Sequence, residues 1–376
     1  MDLVPKPDQV VAAAGNLGRM VLHRGVADLR PMPRTQIDAG PRREVFLYEP
    51  SAGTPATGEP VLLVAPLAAP ATCFDLRRGC SLVEHLVEGG RPTYLVEYGA
   101  VSLRNRDLGL DPWVDKVVPD AVRTVSEHAG GKPVHVVGWG LGGIFALLAA
   151  AASDLPIASL SVLGSPVDVT QVPMLAPARP LLADVPAPLR WVLPLVPFRQ
   201  LVDKQVAVAT HLDDTEWLAQ VEAVDRFTAA TTPYRGRAYG QLYHRFALGD
   251  RVESFASVTA PVLVVAGATD GIAPVAAVRP VLPLLTGARE VRFEIVPGGH
   301  LGLLTGRGAR ASTWPVLDEW FEQWSAAVPA PKKRAAKKAP AKKKAPAAKK
   351  AAPSADVIGA NPKRRHSSAS SRALSR

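Results

Sequence analysis

The sequence predicts an α/β fold: a mostly parallel central sheet with helices on both faces, a cap insertion, and a disordered basic carboxyl-terminal tail. Three observations carry this. Short β-branched runs alternate with helical patterns between residues 61 and 163, the rhythm of parallel strands joined by crossover helices. That rhythm stops at Pro166, gives way to a proline-rich and then helical stretch up to about Asp250, and resumes at Pro261. After Trp324 the chain becomes Ala/Lys/Pro repeats, too poor in large apolar groups to fold alone.

In order, a helix is expected around Asp8–Val26, followed by a connection marked by Pro and Arg. Val61–Val64 reads as a buried strand, Ser81–Glu88 as a helix, Thr93–Glu97 as a strand and Trp113–His128 as a helix. Val134–Val137, Gly143–Ala152 and Ile157–Leu163 read as strand, helix and strand. After the insertion come strands at Pro261–Ala266 and Val291–Val296 and a closing helix at Ser312–Ser325. The expected division is 1–42 (helical segment), 43–165 (first part of the core), 166–250 (cap), 251–328 (second part of the core) and 329–376 (tail).

Composition narrows the function classes. The 376 residues are 47% hydrophobic, ample for a packed core. Two cysteines, Cys73 and Cys80, make no disulfide framework and no zinc-site spacing. The start carries no secretory pattern. The longest uncharged apolar run, Ile144–Ala152, has nine residues, against about twenty for a bilayer span. A soluble, cytoplasmic protein is expected. The net charge of +10 divides unevenly: residues 331–376 hold fifteen Lys or Arg and one acid, a net of +14, which leaves 1–330 at −4. Any attraction to polyanions therefore belongs to the tail.

Catalytic groups in open α/β sheets gather at the carboxyl ends of strands. Three such ends stand out. Val134–Gly143 runs from strand through a glycine turn into a helix, Val264–Asp270 places a carboxylate just past a strand, and Ile295–His300 places an imidazole just past another. Elbow, acid, histidine is the chain order of α/β-hydrolases. Asp270 would orient His300, and His300 would act as general base. The elbow itself, Gly138-Trp139-Gly140-Leu141-Gly142, has glycine where the serine or cysteine nucleophile belongs. Glycine removes both the backbone strain of that position and its chemistry. The same letters, Gly138-x-Gly140-x-x-Gly143, also match a dinucleotide-binding fingerprint. That reading lacks a firm ribose-binding acid, Asp168 being a poor fit, and it leaves Asp270 and His300 without a role.

These motifs resemble the polyhydroxyalkanoate synthase family of α/β-hydrolase-fold acyltransferases. Val64-Ala-Pro66 leads to Asp75-Leu76 and then to Ser81-Leu-Val-Glu-His-Leu-Val-Glu-Gly89. Gly138, Gly142 and Gly143 match the family's Gly-x-Cys-x-Gly-Gly. Pro261–Asp270 matches its Pro-Val-Leu-x-Val-x-Gly-x-x-Asp, and Gly298-Gly299-His300 its Gly-Gly-His. The resemblance covers about residues 55–325 and implies an acyltransferase ancestry that uses thioesters, with Asp270 and His300 as acid and base and no cofactor. Gly140 occupies the cysteine's place. Backbone N–H groups of Leu141 and of Leu67 or Ala68 would form an oxyanion hole.

Plainer readings stand beside these. His300 could be a capped loop histidine, Asp270 a helix cap, Cys73 a small buried thiol and Ser165 a turn residue. The function expected is an acyl-, polyester- or lipid-associated protein without the nucleophile; the alternatives are an active His–Asp ester or thioester hydrolase or acyltransferase, and a dinucleotide-binding protein. The tail resembles those of linker histones and nucleoid-binding granule proteins. Lys332, Lys333, Arg334, Lys337, Lys338, Lys342, Lys343, Lys344, Lys349, Lys350, Lys363, Arg364 and Arg365 would bind DNA or another polyanion, in a nucleoid- or granule-associated protein, unless the run is only a solvated extension.

Overall fold

The structure, a computed structural model, describes residues 6–22, 25–50, 58–67, 69–99, 110–173, 207–231 and 252–325. Eight strands form one sheet in the order β1-β2-β4-β3-β5-β6-β7-β8. They are β1 (Arg34–Gly40), β2 (Arg43–Tyr48), β3 (Val61–Val64), β4 (Thr93–Glu97), β5 (Val134–Trp139), β6 (Ile157–Leu163), β7 (Val262–Gly267) and β8 (Val291–Val296). From β4 to β8 every neighbouring pair is parallel, while β1 and β2 form an antiparallel hairpin and β2 adds antiparallel to β4.

Burial on both faces explains the continuous apolar runs. Leu62 and Val64 pack on one side of the sheet, beneath α3 (Val118–His128) and α4 (Leu141–Ala152). Val61 and Leu63 pack on the other, against α2 (Leu82–Glu88) and the closing helix α8 (Thr313–Trp324), in the alternation that a strand imposes. Two shorter helices, α6 (Val275–Val278) and α7 (Arg307–Ala311), flank the later strands.

Several local features follow from single residues. Ser81 caps α2 by accepting the Glu84 N–H at 3.1 Å. The same hydroxyl donates to Asp75 at 2.7 Å, and Asp75 also accepts the Met32 N–H at 2.7 Å. The Asp75–Ser81 motif is thus a buried brace between the segment before the hairpin and the loop after β3. The helix expected at Trp113–His128 begins with a π turn, Trp113–Val117, and becomes α-helical at Val118. Pro119 supplies no N–H at the join.

The first helix, α1 (Pro7–Leu22), stops short of the expected Val26. The hairpin β1–β2 occupies ground where a connection was expected to run up to residue 42. Its outer strand is half exposed and carries only one large aliphatic residue, Ile37, and Arg42 takes the φ of +59° that a turn glycine would normally supply. Within the insertion the structure describes α5 (Thr215–Ala230), capped by Asp214, which accepts the Trp217 N–H at 2.9 Å. The remainder of the expected cap, residues 174–206 and 232–250, lies outside the described residues, as does the whole of 329–376.

Candidate active site

Strands β5 to β8 are neighbours and parallel, so their carboxyl ends share one edge of the sheet. Gly140 directly follows β5, Gly164 follows β6, Asp270 lies just past β7, and His300 lies past β8 at the start of a 3₁₀ turn. The fold therefore gathers the acid, the histidine and the elbow.

The His–Asp pair is formed. His300 Nδ1 lies 2.8 Å from Asp270 Oδ2. The other carboxylate oxygen accepts the backbone N–H groups of Ile272 at 2.8 Å and Ala273 at 2.7 Å. Burial works to raise the Asp270 carboxyl, but the His300 bond and charge and those two donors outweigh it and hold it below the usual carboxylate range. An ionised carboxylate only accepts, so Nδ1 carries a proton toward Asp270, and in the neutral imidazole Nε2 is the nitrogen with the lone pair. Asp270 also caps the turn that follows it through one oxygen while the other meets His300, so the helix-cap reading leaves the catalytic one open.

Nε2 points at the elbow. Gly140 has φ +55° and ψ −123°, a conformation that side chains rarely adopt. A Cβ built there would lie 3.3 Å from His300 Nε2 and 3.9 Å from Pro66 Cβ. The position thus has the geometry of an elbow turn aimed at the imidazole, a backbone that glycine adopts without strain. The flanking glycines are consumed by packing: a Cβ on Gly142 would stand 2.1 Å from the Val64 carbonyl oxygen. That closeness of α4 to β3 accounts for the glycine run without a pyrophosphate. Asp168, the acid of the dinucleotide reading, caps its own turn by accepting the Thr170 N–H at 2.9 Å.

Leu141 is the first residue of α4, where a backbone N–H has no carbonyl of its own helix to bond. Leu67 is half-buried in the loop after β3, and Ala68 lies outside the described residues. Cys73 is buried in the core, and burial pushes its thiol up, as befits a small buried thiol. Ser165 is buried with its hydroxyl directed to the Leu163 carbonyl at 3.4 Å, a structural placement.

Two residues escaped the sequence reading. Trp139 donates its indole N–H to the His300 carbonyl at 3.1 Å, and its ring lies 4.7 Å from the imidazole at a 36° tilt. The ring of Phe227 in α5 lies 6.3 Å from that of Trp139, which joins the insertion to the site. Gly164 has φ +55°, and a Cβ there would stand 3.2 Å from His300 Nδ1 and 3.3 Å from Asp270 Oδ2. Both contacts are tertiary; the indole bond spans 161 positions.

Comparison with known proteins agrees with this architecture. The model of the alpha/beta hydrolase family matches residues 53–311. The chain belongs to that family. Among its hydrolase-family relatives, the poly(3-hydroxyalkanoate) polymerase subunit PhaC of Allochromatium vinosum is 23% identical over 327 aligned residues, covering 81% of this chain and 92% of the relative. The PhaC subunit of Haloarcula marismortui is 22% identical over 300, covering 71% and 61%. The fold is shared with a thermostable carboxyl esterase from Bacillus coagulans (TM-score 0.53, 16% identity, 78% of this chain and 99% of that one). This alpha/beta hydrolase is PhaC-like over most of its length. Among its described residues no helix is long and apolar enough to cross a membrane.

Proposed function

We propose that this PhaC-like chain binds acyl thioesters, polyester or lipid acyl groups at the His300 site but forms no acyl-enzyme, and therefore does not polymerise. One observation carries the reading: the elbow position facing His300 Nε2 at 3.3 Å is a glycine. Covalent acyl transfer needs an atom there to attack the carbonyl and hold the acyl group, and a glycine offers none. Leu141, with Leu67 or Ala68, would supply the oxyanion donors that polarise a bound acyl carbonyl.

A second reading is favoured by the intact pair. With no side chain at 140, a water could occupy the space beside Nε2. His300 would take its proton as the oxygen attacks an acyl carbonyl, then deliver that proton to the departing thiolate or alkoxide as the C–S or C–O bond breaks. Turnover of short acyl esters and thioesters by wild type and His300→Ala separates the two. Absence of turnover in both supports the binding protein, and wild-type turnover lost in His300→Ala supports the hydrolase.

The tail, with a net charge of +14 over residues 331–376, is read as a polyanion-binding tether. Lysine doublets and triplets on Ala/Pro spacers give dense charge with nothing shaped for base readout, so binding would come from counterion release. Joined to a polyester- or lipid-recognising body, the tail would hold storage granules to the nucleoid. Gel shifts of full-length and 1–330 protein test it, since equal DNA affinity of both removes the tether.

A further inference from the structure

The first helix is mounted inside out. Of the eight large apolar side chains exposed among the described residues, six lie on α1: Val10, Val11, Leu17, Met20, Val21 and Leu22, at 37–78% exposure. Asn16, a polar residue, is the one buried position on this helix, at 2%. Asn16 Nδ2 donates to the Leu212 carbonyl at 2.8 Å, Asn16 Oδ1 accepts from Thr215 at 2.9 Å, and Gln9 donates to Asp213 at 3.0 Å. At 3.6 residues per turn, Val10, Val11, Leu17, Val21 and Leu22 fall within an arc of about 140°, and Gln9 and Asn16 lie opposite it. Gly18 falls in the same arc and Gly15 at its edge, and a Cβ on either would meet nothing within 4 Å. The helix is held to the body by hydrogen bonds and turns a continuous apolar face outward.

We infer that this outward face of α1 is a docking surface for an anionic lipid layer. A second copy is a poor occupant: a 16-residue helix is about 24 Å long and 10 Å wide, far below the roughly 800 Å² per partner of a stable interface. A lipid interface needs no matched partner, because apolar side chains partition into it one by one. Charge decides the lipid class. A single short apolar anchor binds marginally, and stable attachment takes a second signal such as a polybasic segment. The same chain carries one, the +14 of residues 331–376, which an anionic surface attracts and a zwitterionic one does not. The inference is independent of what His300 does and survives any outcome of the turnover test.

The test is co-sedimentation of the full chain with vesicles of phosphatidylcholine alone or with one third phosphatidylglycerol, at 0.1 and 0.5 M salt. Wild type is compared with the triple variant Val10→Ser, Leu17→Ser, Val21→Ser. These side chains are at least half exposed, so the melting temperature should hold. Wild type should bind the anionic vesicles at least tenfold more tightly than the variant, and a difference should persist at 0.5 M salt, where the tail is screened. Absence of wild-type binding, or equal binding by both proteins, overturns the inference. So does a variant that binds vesicles like wild type while a dimer dissociates or the melting temperature falls, since the face would then be covered by a second copy or by the chain itself.

Discussion

His300 Nε2 stands 3.3 Å from the point where a side chain on Gly140 would begin. The imidazole, the carboxylate bonded to it and a turn of elbow geometry stand together, and the residue at the turn is a glycine.

The elbow backbone makes a stability prediction. At φ +55° and ψ −123°, Gly140→Ala and Gly140→Cys should each destabilise the protein by about 1–3 kcal/mol. Gly271→Ala, which meets nothing within 4 Å, should be near neutral. Denaturant melts of the three variants check this, and an unchanged midpoint for Gly140→Ala would mean that the backbone at 140 accepts a side chain without strain.

Gly164 should be as intolerant for a second reason. An alanine there would combine a positive φ with a methyl about 3.2 Å from His300 Nδ1 and 3.3 Å from Asp270 Oδ2. Gly164→Ala should cost about 1–3 kcal/mol and displace the imidazole, visible as a changed His300 ring resonance in NMR. An unperturbed ring would show that the pair has slack.

Stability should fall between pH 6.5 and 4 because of a histidine remote from the site. His135 is buried and bonded to the hydroxyls of Ser159 at 2.8 Å and Ser325 at 3.2 Å. Burial, with the Arg91 charge adding, lowers it to about 4. The unfolded chain takes up a proton near the ordinary value of 6.5 while the folded chain stays neutral, so acid favours unfolding across that window and stability rises with pH through it. The loss is at most about 3 kcal/mol, at 1.36 kcal/mol per unit. His135→Gln should flatten the slope there, leaving the later loss as Asp270 and other carboxylates protonate below pH 4. An unchanged slope would assign it elsewhere.

The parallel core was legible because its strands are β-branched runs buried on both faces, and Val61–Val64, Thr93–Glu97 and Ile157–Leu163 lie where their composition placed them. Asp270 and His300 were legible because each follows a strand directly, and strand ends in a parallel sheet converge. The β1–β2 hairpin was not, since an exposed edge strand with one large aliphatic residue and a turn through Arg42 leaves neither alternation nor a glycine signal. Trp139 and Gly164 were invisible for a different reason: their roles exist only once β5, β6 and β8 stand side by side. The exposed stripe of α1 has helical spacing in the sequence, and only the hydrogen bonds of Asn16 and Gln9 reveal that the polar side faces inward.

The tail prediction is electrostatic. If about eight to ten phosphates are neutralised, the log–log salt slope of duplex DNA binding should be about −7 to −9, at 0.9 per phosphate. The body, net −4 over residues 1–330, should bind weakly or not at all. A shallow slope would mean that few of the lysines reach phosphate.

The central claim is that Gly140 alone withholds covalent acyl chemistry from an otherwise assembled site. Intact-mass spectrometry after incubation with a short acyl thioester tests it most directly, on wild type, Gly140→Cys and Gly140→Cys/His300→Ala. The account predicts no adduct on wild type, one acyl group at position 140 in Gly140→Cys, and strongly slowed labelling when His300 is also removed. A stable adduct on the wild-type chain, or labelling at position 140 indifferent to His300, would contradict it.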